Sequence, residues 1–160
     1  MNLIVDASAI LRQILSRRVP RLLVHPRLDL FITHHVAEEV ERNLDRRVQA
    51  MLAQGRLVEE EATALVAGAK EVMVSALTLA PATLYAIKEP EARSRLEQHC
   101  RDRDWPSVAL ALLMGMESDG IWTEDRDYWG CGVATWSTAV LQRVLVVAEL
   151  QADRDEGSEG

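Results

Sequence analysis

Residues 2–7 read NLIVDA, a short run of apolar side chains that ends in an acid. The run is typical of a buried strand, and it places Asp6 at the carboxyl end of that strand. A carboxylate inside so apolar a segment is costly unless it is paired or holds a cation. The stretch therefore predicts the first strand of a sheet and a functional acid at the sheet's edge.

Downstream of this strand, short apolar runs alternate with helical patterns. Ser8 can cap the first helix, which is predicted over 8–17 and ended by Pro20. Strands that alternate with helices predict a three-layer α/β/α fold with a five-stranded parallel sheet. The other predicted elements are strands at 30–33, 76–81, 120–123 and 133–137, helices at 34–53, 58–75, 107–116 and 138–150, helical patches at 82–99 that break at Pro90, and loops at 101–106 and 124–132.

Length and composition fit one globular domain. The chain has 160 residues, of which 48% are hydrophobic and 27% charged, and this length is enough to bury a core. The net charge is −7, but the last ten residues contribute −3, which leaves −4 on residues 1–150. We expect a domain at 1–150 and a disordered acidic tail at 151–160. The acidic balance disfavours a nucleic-acid binder, although bound divalent cations reverse the charge of a carboxylate site.

Nothing in the sequence indicates a membrane protein or an exported one. No run approaches the roughly 20 apolar residues that span a bilayer, and the N-terminus lacks the basic region of a signal peptide. Cys100 and Cys131 are isolated, and we expect reduced thiols in a cytoplasmic protein. The four histidines show no metal-site geometry, and the four tryptophans follow buried segments and are expected in the core.

Four acids stand where strands end or helices begin. Asp6 ends the first strand, and Asp125 follows the fourth. Glu39 is in the first turns of the helix after the second strand, and Asp104 directly precedes the apolar helix. Ligands of parallel sheets bind beyond the carboxyl ends of the strands, so these positions can converge on one crevice. Several ionised carboxylates stay together only around a cation, and oxygen ligands in this number suit Mg²⁺ or Mn²⁺, which activate water against a phosphodiester.

Helical geometry separates two neighbouring acids. If Val36 and Val40 face inward, Glu39 flanks the buried face of its helix, while Glu38 points nearly opposite. Glu38 is then expected in solvent, and Glu39 is the candidate ligand.

Position also separates the acids of the two charged loops. Asp104 stands next to the buried helix, whereas Asp102 is expected at the surface. Asp125 comes first after its strand, whereas Glu124 should face away. Asp127 is either a further metal ligand or only a turn acid.

These motifs together resemble the PIN-domain family. The matching stretches are LIVDASAI, THHVAEEVERNL, DRDWPSVALALLMG and IWTEDRDYWGCGV, in that order over roughly 2–137. The resemblance implies a five-stranded parallel sheet, metal-dependent cleavage of RNA, frequent homodimers and often the role of a VapC-type toxin blocked by an antitoxin protein. Carried over by motif, it implies catalytic and metal-binding roles for Asp6, Glu39, Asp104 and Asp125, with Asp127 as a further ligand and Ser8 and Thr123 as supporting hydroxyls.

Other readings of an Asp-ended first strand lack necessary residues. A haloacid-dehalogenase-type phosphatase needs a second acid two residues on, where this chain has Ser8. A response-regulator receiver needs a late lysine, but the chain's lysines are Lys70 and Lys88. A non-catalytic PIN-like module that binds RNA or a protein stays open, although such a module has no need of all four acids.

Overall fold

The computed structural model describes residues 1–16 and 21–157 and contains a five-stranded sheet. Every pair of neighbouring strands is parallel, and the order is β3-β2-β1-β4-β5, which puts the first strand in the centre. The predicted α/β fold with five parallel strands is therefore confirmed. The strands are β1 Asn2–Val5, β2 Asp29–Thr33, β3 Leu77–Ala80, β4 Gly120–Trp122 and β5 Thr135–Trp136.

Helices cover both faces of this sheet, as parallel strands joined by crossovers require. Over the described residues they are α1 Ala7–Leu15, α2 His34–Ala53, α3 Glu59–Ala76, α4 Ala82–Tyr85, α5 Glu89–Ser94, α6 Arg101–Met114 and α7 Thr138–Gly157. The core on one face takes its helical residues from α1, α2, α3 and α7. The core on the other face takes them from α4, α5 and α6, which completes three layers.

The central strand β1 is buried on both faces. Leu3 and Val5 belong to the core beneath α1 and α2, whereas Ile4 belongs to the core beneath α6. Successive side chains of a strand point to opposite faces, so a strand covered on both sides has an unbroken aliphatic sequence. This is the physical reason for the run that opens the chain.

The direction in which strands are added to the sheet reverses at β1, and the candidate site lies at this reversal. The chain moves from β1 to β2 on one side, and it returns to the other side of β1 as β4. Val5 lies opposite Trp122, and the amide of Asp6 donates to the carbonyl oxygen of Trp122 at 2.9 Å. Asp6 and Thr123 thus leave adjacent strands at one edge, where open α/β sheets bind their ligands.

Helix α2 has the predicted bounds, and its inward face is the predicted one. Its first turn is capped by Thr33, whose Oγ1 accepts from the amide of Val36 at 3.2 Å. Residues at four-residue spacing lie on one side of a helix, and that side faces the core. Its buried residues are Val36, Val40, Leu44 and Val48.

Two local predictions around prolines are wrong. The stretch RDRDWP is helical, because α6 begins at Arg101 and continues through Pro106. A proline there removes one backbone donor close to the start of the helix, and burial of the apolar turns that follow offsets this loss. Pro90 does not break a helix but lies in the first turn of α5, where its fixed φ is favourable.

Two further expectations concern the tail at 151–160 and the end of the first helix. Helix α7 continues to Gly157, into the segment 151–160 that is expected to be a disordered tail. The predicted end of the first helix at Pro20 lies outside the described residues, as do residues 158–160. Within the described ranges no helix is both long and apolar enough to cross a membrane.

The start of β4 depends on a glycine. Gly120 has φ of +121°, a conformation that L side chains rarely adopt. A Cβ atom at this position would lie 2.3 Å from the carbonyl oxygen of Ala134, just before β5. The carbonyl of Ala134 accepts from the amide of Ile121 at 2.8 Å, so the missing side chain lets the last two strands pair.

Candidate functional site

Asp6 is 6% exposed, and both of its carboxylate oxygens accept hydrogen bonds. Oδ2 accepts from the amide of Ser8 at 3.2 Å, from the hydroxyl of Ser8 at 2.6 Å and from the hydroxyl of Thr123 at 3.0 Å. Oδ1 accepts from the phenol of Tyr128 at 3.1 Å. Asp6 itself caps α1, so the prediction that Ser8 is the cap is wrong. Four donors match the acceptor-only chemistry of an ionised carboxylate and hold it in place.

The two hydroxyls beside Asp6 also order the segment that follows β4. The Oγ atoms of Ser8 and Thr123 lie 3.3 Å apart. The hydroxyl of Ser8 accepts from the amide of Glu124 at 3.1 Å, and that of Thr123 accepts from the amide of Asp125 at 2.9 Å. The start of α1 and the position of Asp125 are therefore fixed by the same hydrogen-bond network.

Asp104 lies in the first turn of α6 and is 5% exposed. Arg103 donates to both of its oxygens, from Nε to Oδ1 at 3.0 Å and from Nη2 to Oδ2 at 3.2 Å. The same Nη2 donates to Asp127 at 2.9 Å and lies 3.8 Å from an oxygen of Asp125. One half-exposed guanidinium therefore joins three of the predicted acids.

The pKa of Asp104 depends on the charges of other acids at this edge. Burial raises the pKa of Asp104, the Arg103 guanidinium opposes this rise, and the charges of Asp6 and Asp125 add to it. Burial raises the pKa of Tyr128 well above its usual value, and the negative charge of Asp6 is the second largest cause of this rise. Tyr128 therefore stays a neutral donor to Asp6 at physiological pH.

Asp125 and Asp127 lie on the turn after β4. Asp125 caps the 3₁₀ turn Arg126–Tyr128 by accepting from the amide of Asp127 at 3.0 Å. Asp127 is half-buried, and one of its oxygens lies 3.3 Å from Nε2 of His99. Both acids are thus held on a short turn whose last residue, Tyr128, contacts Asp6.

Glu39 makes its contact with its own helix. It is half-buried, and its Oε1 accepts from the side-chain amide of Asn43 at 3.3 Å. Among the described residues, no hydrogen bond or ion pair joins Glu39 to another predicted acid. Glu38 is exposed and pairs with His34 and Arg42 on its own helix. Glu38 therefore lies on the exposed side of α2 and Glu39 on a more buried side, as the helix geometry predicts.

The other acids set aside from the sequence have structural partners elsewhere. Asp102 is 91% exposed and pairs with Arg93. Glu124 pairs with Arg12 at 2.9 Å, and its Oε1 accepts from the amide of Thr138 at 2.8 Å, at the start of α7. Each of these carboxylates has a local role away from Asp6.

Sequence reasoning missed several residues of this edge. Nothing in the motifs marked Arg103 or Tyr128, because Arg103 bonds to Asp127, 24 residues away, as well as to its neighbour Asp104, and Tyr128 bonds to Asp6, 122 residues away. It also treated the histidines and cysteines as isolated, yet ligand atoms of His99, Cys100 and Asp127 lie within 4.8 Å of one another. Burial raises the pKa of the Cys100 thiol, which favours its neutral form. The folded chain alone brings these groups together.

A match between this sequence and the profile of a protein family identifies the family. The profile of the PIN domain matches residues 4–145, which is most of the chain and includes the end of β1 and all of β2 to β5. The chain belongs to the PIN-domain family. None of the curated proteins compared with this PIN domain matches it significantly.

A solved structure with a similar fold is a chain of VapBC2 from Rickettsia felis, bound to a DNA fragment from their promoter. The TM-score is 0.53 at 9% sequence identity, and the match covers 86% of this PIN domain and 98% of that chain. At this identity the likeness shows the fold alone.

The donor set of this PIN domain fits the divalent metal ion that such domains generally use. Carboxylates of Asp6, Asp104 and Asp125 come from three different elements, and Asp127 is linked to two of them through Arg103. All of these ligand atoms are hard oxygens, the type that Mg²⁺ and Mn²⁺ bind. The guanidinium of Arg103 shows that this edge attracts a cation.

Proposed function

We propose that this PIN domain is a metal-dependent endoribonuclease that hydrolyses RNA phosphodiester bonds. The observation that supports it most is the hydrogen-bond network at one edge of the sheet. In this network Thr123 contacts both Asp6 and the amide of Asp125. Arg103 contacts Asp104 and lies 3.8 Å from an oxygen of Asp125. These acids, together with Glu39 and Asp127, are the proposed ligands of Mg²⁺ or Mn²⁺. Such a bound ion supplies an activated water and charge stabilisation at the phosphate.

The chain's own residues prepare this site. The hydroxyls of Ser8 and Thr123 and the phenol of Tyr128 hold Asp6 in one orientation. Asp125 is oriented by the turn that it caps. Sites held by such supporting hydrogen bonds lose activity when the support is removed, even though the supporting groups do not touch substrate.

The biological role that we propose is that of a toxin in a toxin–antitoxin pair. The fold likeness to a chain of VapBC2 supports this role, and an acidic edge suits an inhibitor that inserts a basic side chain. The proposal includes a cytoplasmic location and a homodimer. Neutralisation of RNA cleavage by a small protein encoded next to this chain is the measurement that checks the role.

The nuclease proposal is tested by a matched pair of neighbouring glutamates. We expect the wild-type protein to cleave labelled single-stranded RNA with Mn²⁺ or Mg²⁺ and to be inactive in EDTA. Glu39→Gln should lower the cleavage rate about tenfold or more, because it removes a ligand charge. Glu38→Gln should leave the rate unchanged, since Glu38 pairs only with exposed side chains of its own helix. A purified protein that binds RNA but never cleaves it would support the non-catalytic module instead.

Arg103 provides a second prediction, on metal binding without RNA. Its guanidinium occupies the oxygens of Asp104 that a metal ion would use. Arg103→Gln is expected to bind Mn²⁺ several-fold more tightly and to lose about 1–3 kcal/mol of metal-free stability, because the buried Asp104 loses its partner.

Titration calorimetry with Mn²⁺ and thermal melting in EDTA measure these two effects. Lys70→Gln, which removes an exposed positive charge from α3, is the control. Mn²⁺ affinity that is unchanged or weaker in Arg103→Gln would show that the guanidinium does not compete with the metal.

A further inference from the structure

Trp129 does not lie in the core, contrary to the expectation for the tryptophans. It is 65% exposed, whereas Trp122 is fully buried and Trp105 and Trp136 are half-buried. Single exposed apolar side chains are common, but tryptophan is enriched at binding interfaces, where its ring supplies a large contact area. The position of Trp129 suggests what it binds.

Trp129 is connected directly to the candidate acids. The residue before it, Tyr128, is buried and donates to Asp6 at 3.1 Å. Asp125 caps the 3₁₀ turn that ends at Tyr128. Since Trp129 follows this turn, its exposed ring is held one residue from a side chain that contacts the site.

Arg126 adds a positive charge to the same ring. Its guanidinium carbon lies 5.2 Å from the centroid of the Trp129 ring, within cation–π distance. In the part of the chain that the structure describes, no carboxylate forms an ion pair with Arg126. A phosphate group can therefore bind this guanidinium without displacing a partner.

A cleft of about 460 Å³ is lined by the Trp129 ring and by one of the candidate acids, Asp125. Its wall includes Asp125 and Thr123 from the site, Arg126 and Trp129 from the turn, and the hydroxyl-bearing Thr135. Glu124 also lines it, but its charge is paired with Arg12. A cleft with an aromatic ring, a free guanidinium and a candidate metal ligand is suited to a nucleotide.

We propose that Arg126 and Trp129 form a subsite for one nucleotide of single-stranded RNA, next to the bond that is cut. The base stacks on Trp129, and the phosphate contacts Arg126. Aromatic side chains bind unstacked bases in this way with little dependence on sequence, whereas bases inside a duplex are not accessible to them. This inference rests on the proposed nuclease function and identifies its substrate as single-stranded RNA.

The test measures binding and cleavage separately, with the full chain. The binding probe is a short fluorescein-labelled oligouridylate in EDTA at low salt, followed by anisotropy, with an RNA duplex for comparison. Trp129→Ala should weaken oligouridylate binding about tenfold or more. Trp129→Phe should keep most of the affinity, and Arg126→Gln should reduce the salt dependence by about one phosphate contact. With Mn²⁺, Trp129→Ala should raise KM and leave kcat within about twofold.

Controls separate this subsite from the nuclease function and from other occupants. Met116→Ala removes an exposed apolar side chain near the opposite edge of the sheet and should change neither binding nor KM. Wild-type RNA affinity in Trp129→Ala would overturn the subsite even if the protein cleaves RNA. A change in oligomeric state with unchanged RNA binding would overturn it in favour of a protein contact. Absence of cleavage by the wild type would instead contradict the proposed function.

Discussion

Asp6→Asn is expected to abolish metal-dependent RNA cleavage, with a loss of about a hundredfold or more. The substitution keeps the shape of the side chain but removes the charge that we propose binds the metal. Mn²⁺ affinity, measured by calorimetry, should fall with the rate. Cleavage by Asp6→Asn at the wild-type rate would contradict the proposed mechanism.

The same variant has a defined expectation for metal-free stability. From sequence alone, repulsion among the carboxylates implies that Asp6→Asn folds as well as the wild type or better. The structure removes most of that gain, because Asp6 accepts four hydrogen bonds and Arg103 already offsets the charge of Asp104. The asparagine oxygen can keep the donors on Oδ2, and its amide can donate to the phenol oxygen of Tyr128. We therefore expect a melting temperature in EDTA close to that of the wild type.

Asp6→Ala is the matched variant that removes the acceptor altogether. It removes the acceptor that the buried hydroxyls of Thr123 and Tyr128 share, at a total cost of about 1–3 kcal/mol. Glu38→Gln is the surface control and should stay within a few tenths of a kcal/mol. If Asp6→Asn were as unstable as Asp6→Ala, the role of Asp6 would be structural, and the metal assignment would need another carboxylate.

Gly120→Ala is expected to cause a large loss of stability, about 2–5 kcal/mol. Its φ of +121° strains any L side chain, and the new Cβ would clash with the backbone of Ala134 rather than with a flexible side chain. Chemical denaturation with urea measures the loss. The pairing of β5 with β4 should weaken first.

Gly68→Ala is the control with the opposite sign. Gly68 lies in the middle of α3, and no atom lies within 4 Å of an added Cβ. Alanine is favoured over glycine in a helix by about 0.5–1 kcal/mol, so this variant should be slightly more stable than the wild type. Equal stabilities for the two alanine variants would mean that β4 and β5 can move apart without cost.

Much of the fold could be predicted because it depends on local patterns. The aliphatic run at 3–5 indicated the central strand, and the four-residue spacing from Val36 to Val48 marked the inward face of α2. The positions of Asp6 and Asp125 just after β1 and β4 also followed from the strand assignments. Each of these inferences needs only the period of a helix or strand and the rule for parallel sheets.

The remaining features depend on contacts between distant parts of the chain. Pro106 suggested a loop, although packing of the following apolar turns keeps α6 helical from Arg101. The hydrogen bonds of Tyr128 to Asp6 and of Arg103 to Asp127 join residues that are far apart in the sequence. The periodicity of a helix or strand therefore cannot predict them. The exposure of Trp129 likewise follows from the turn that holds it, since composition favours a buried indole.

The central position of β1 has a consequence for the protein during its synthesis on the ribosome. Thr123 and Tyr128, whose hydroxyls bond to Asp6, are made 117 and 122 residues after it. Until β4 emerges, one side of β1 has no partner strand, and the carboxylate of Asp6 lacks two of its donors. A nascent chain surrounded by ribosomal and messenger RNA therefore carries only part of the site. The candidate site is complete only when the chain as far as Tyr128 has left the exit tunnel.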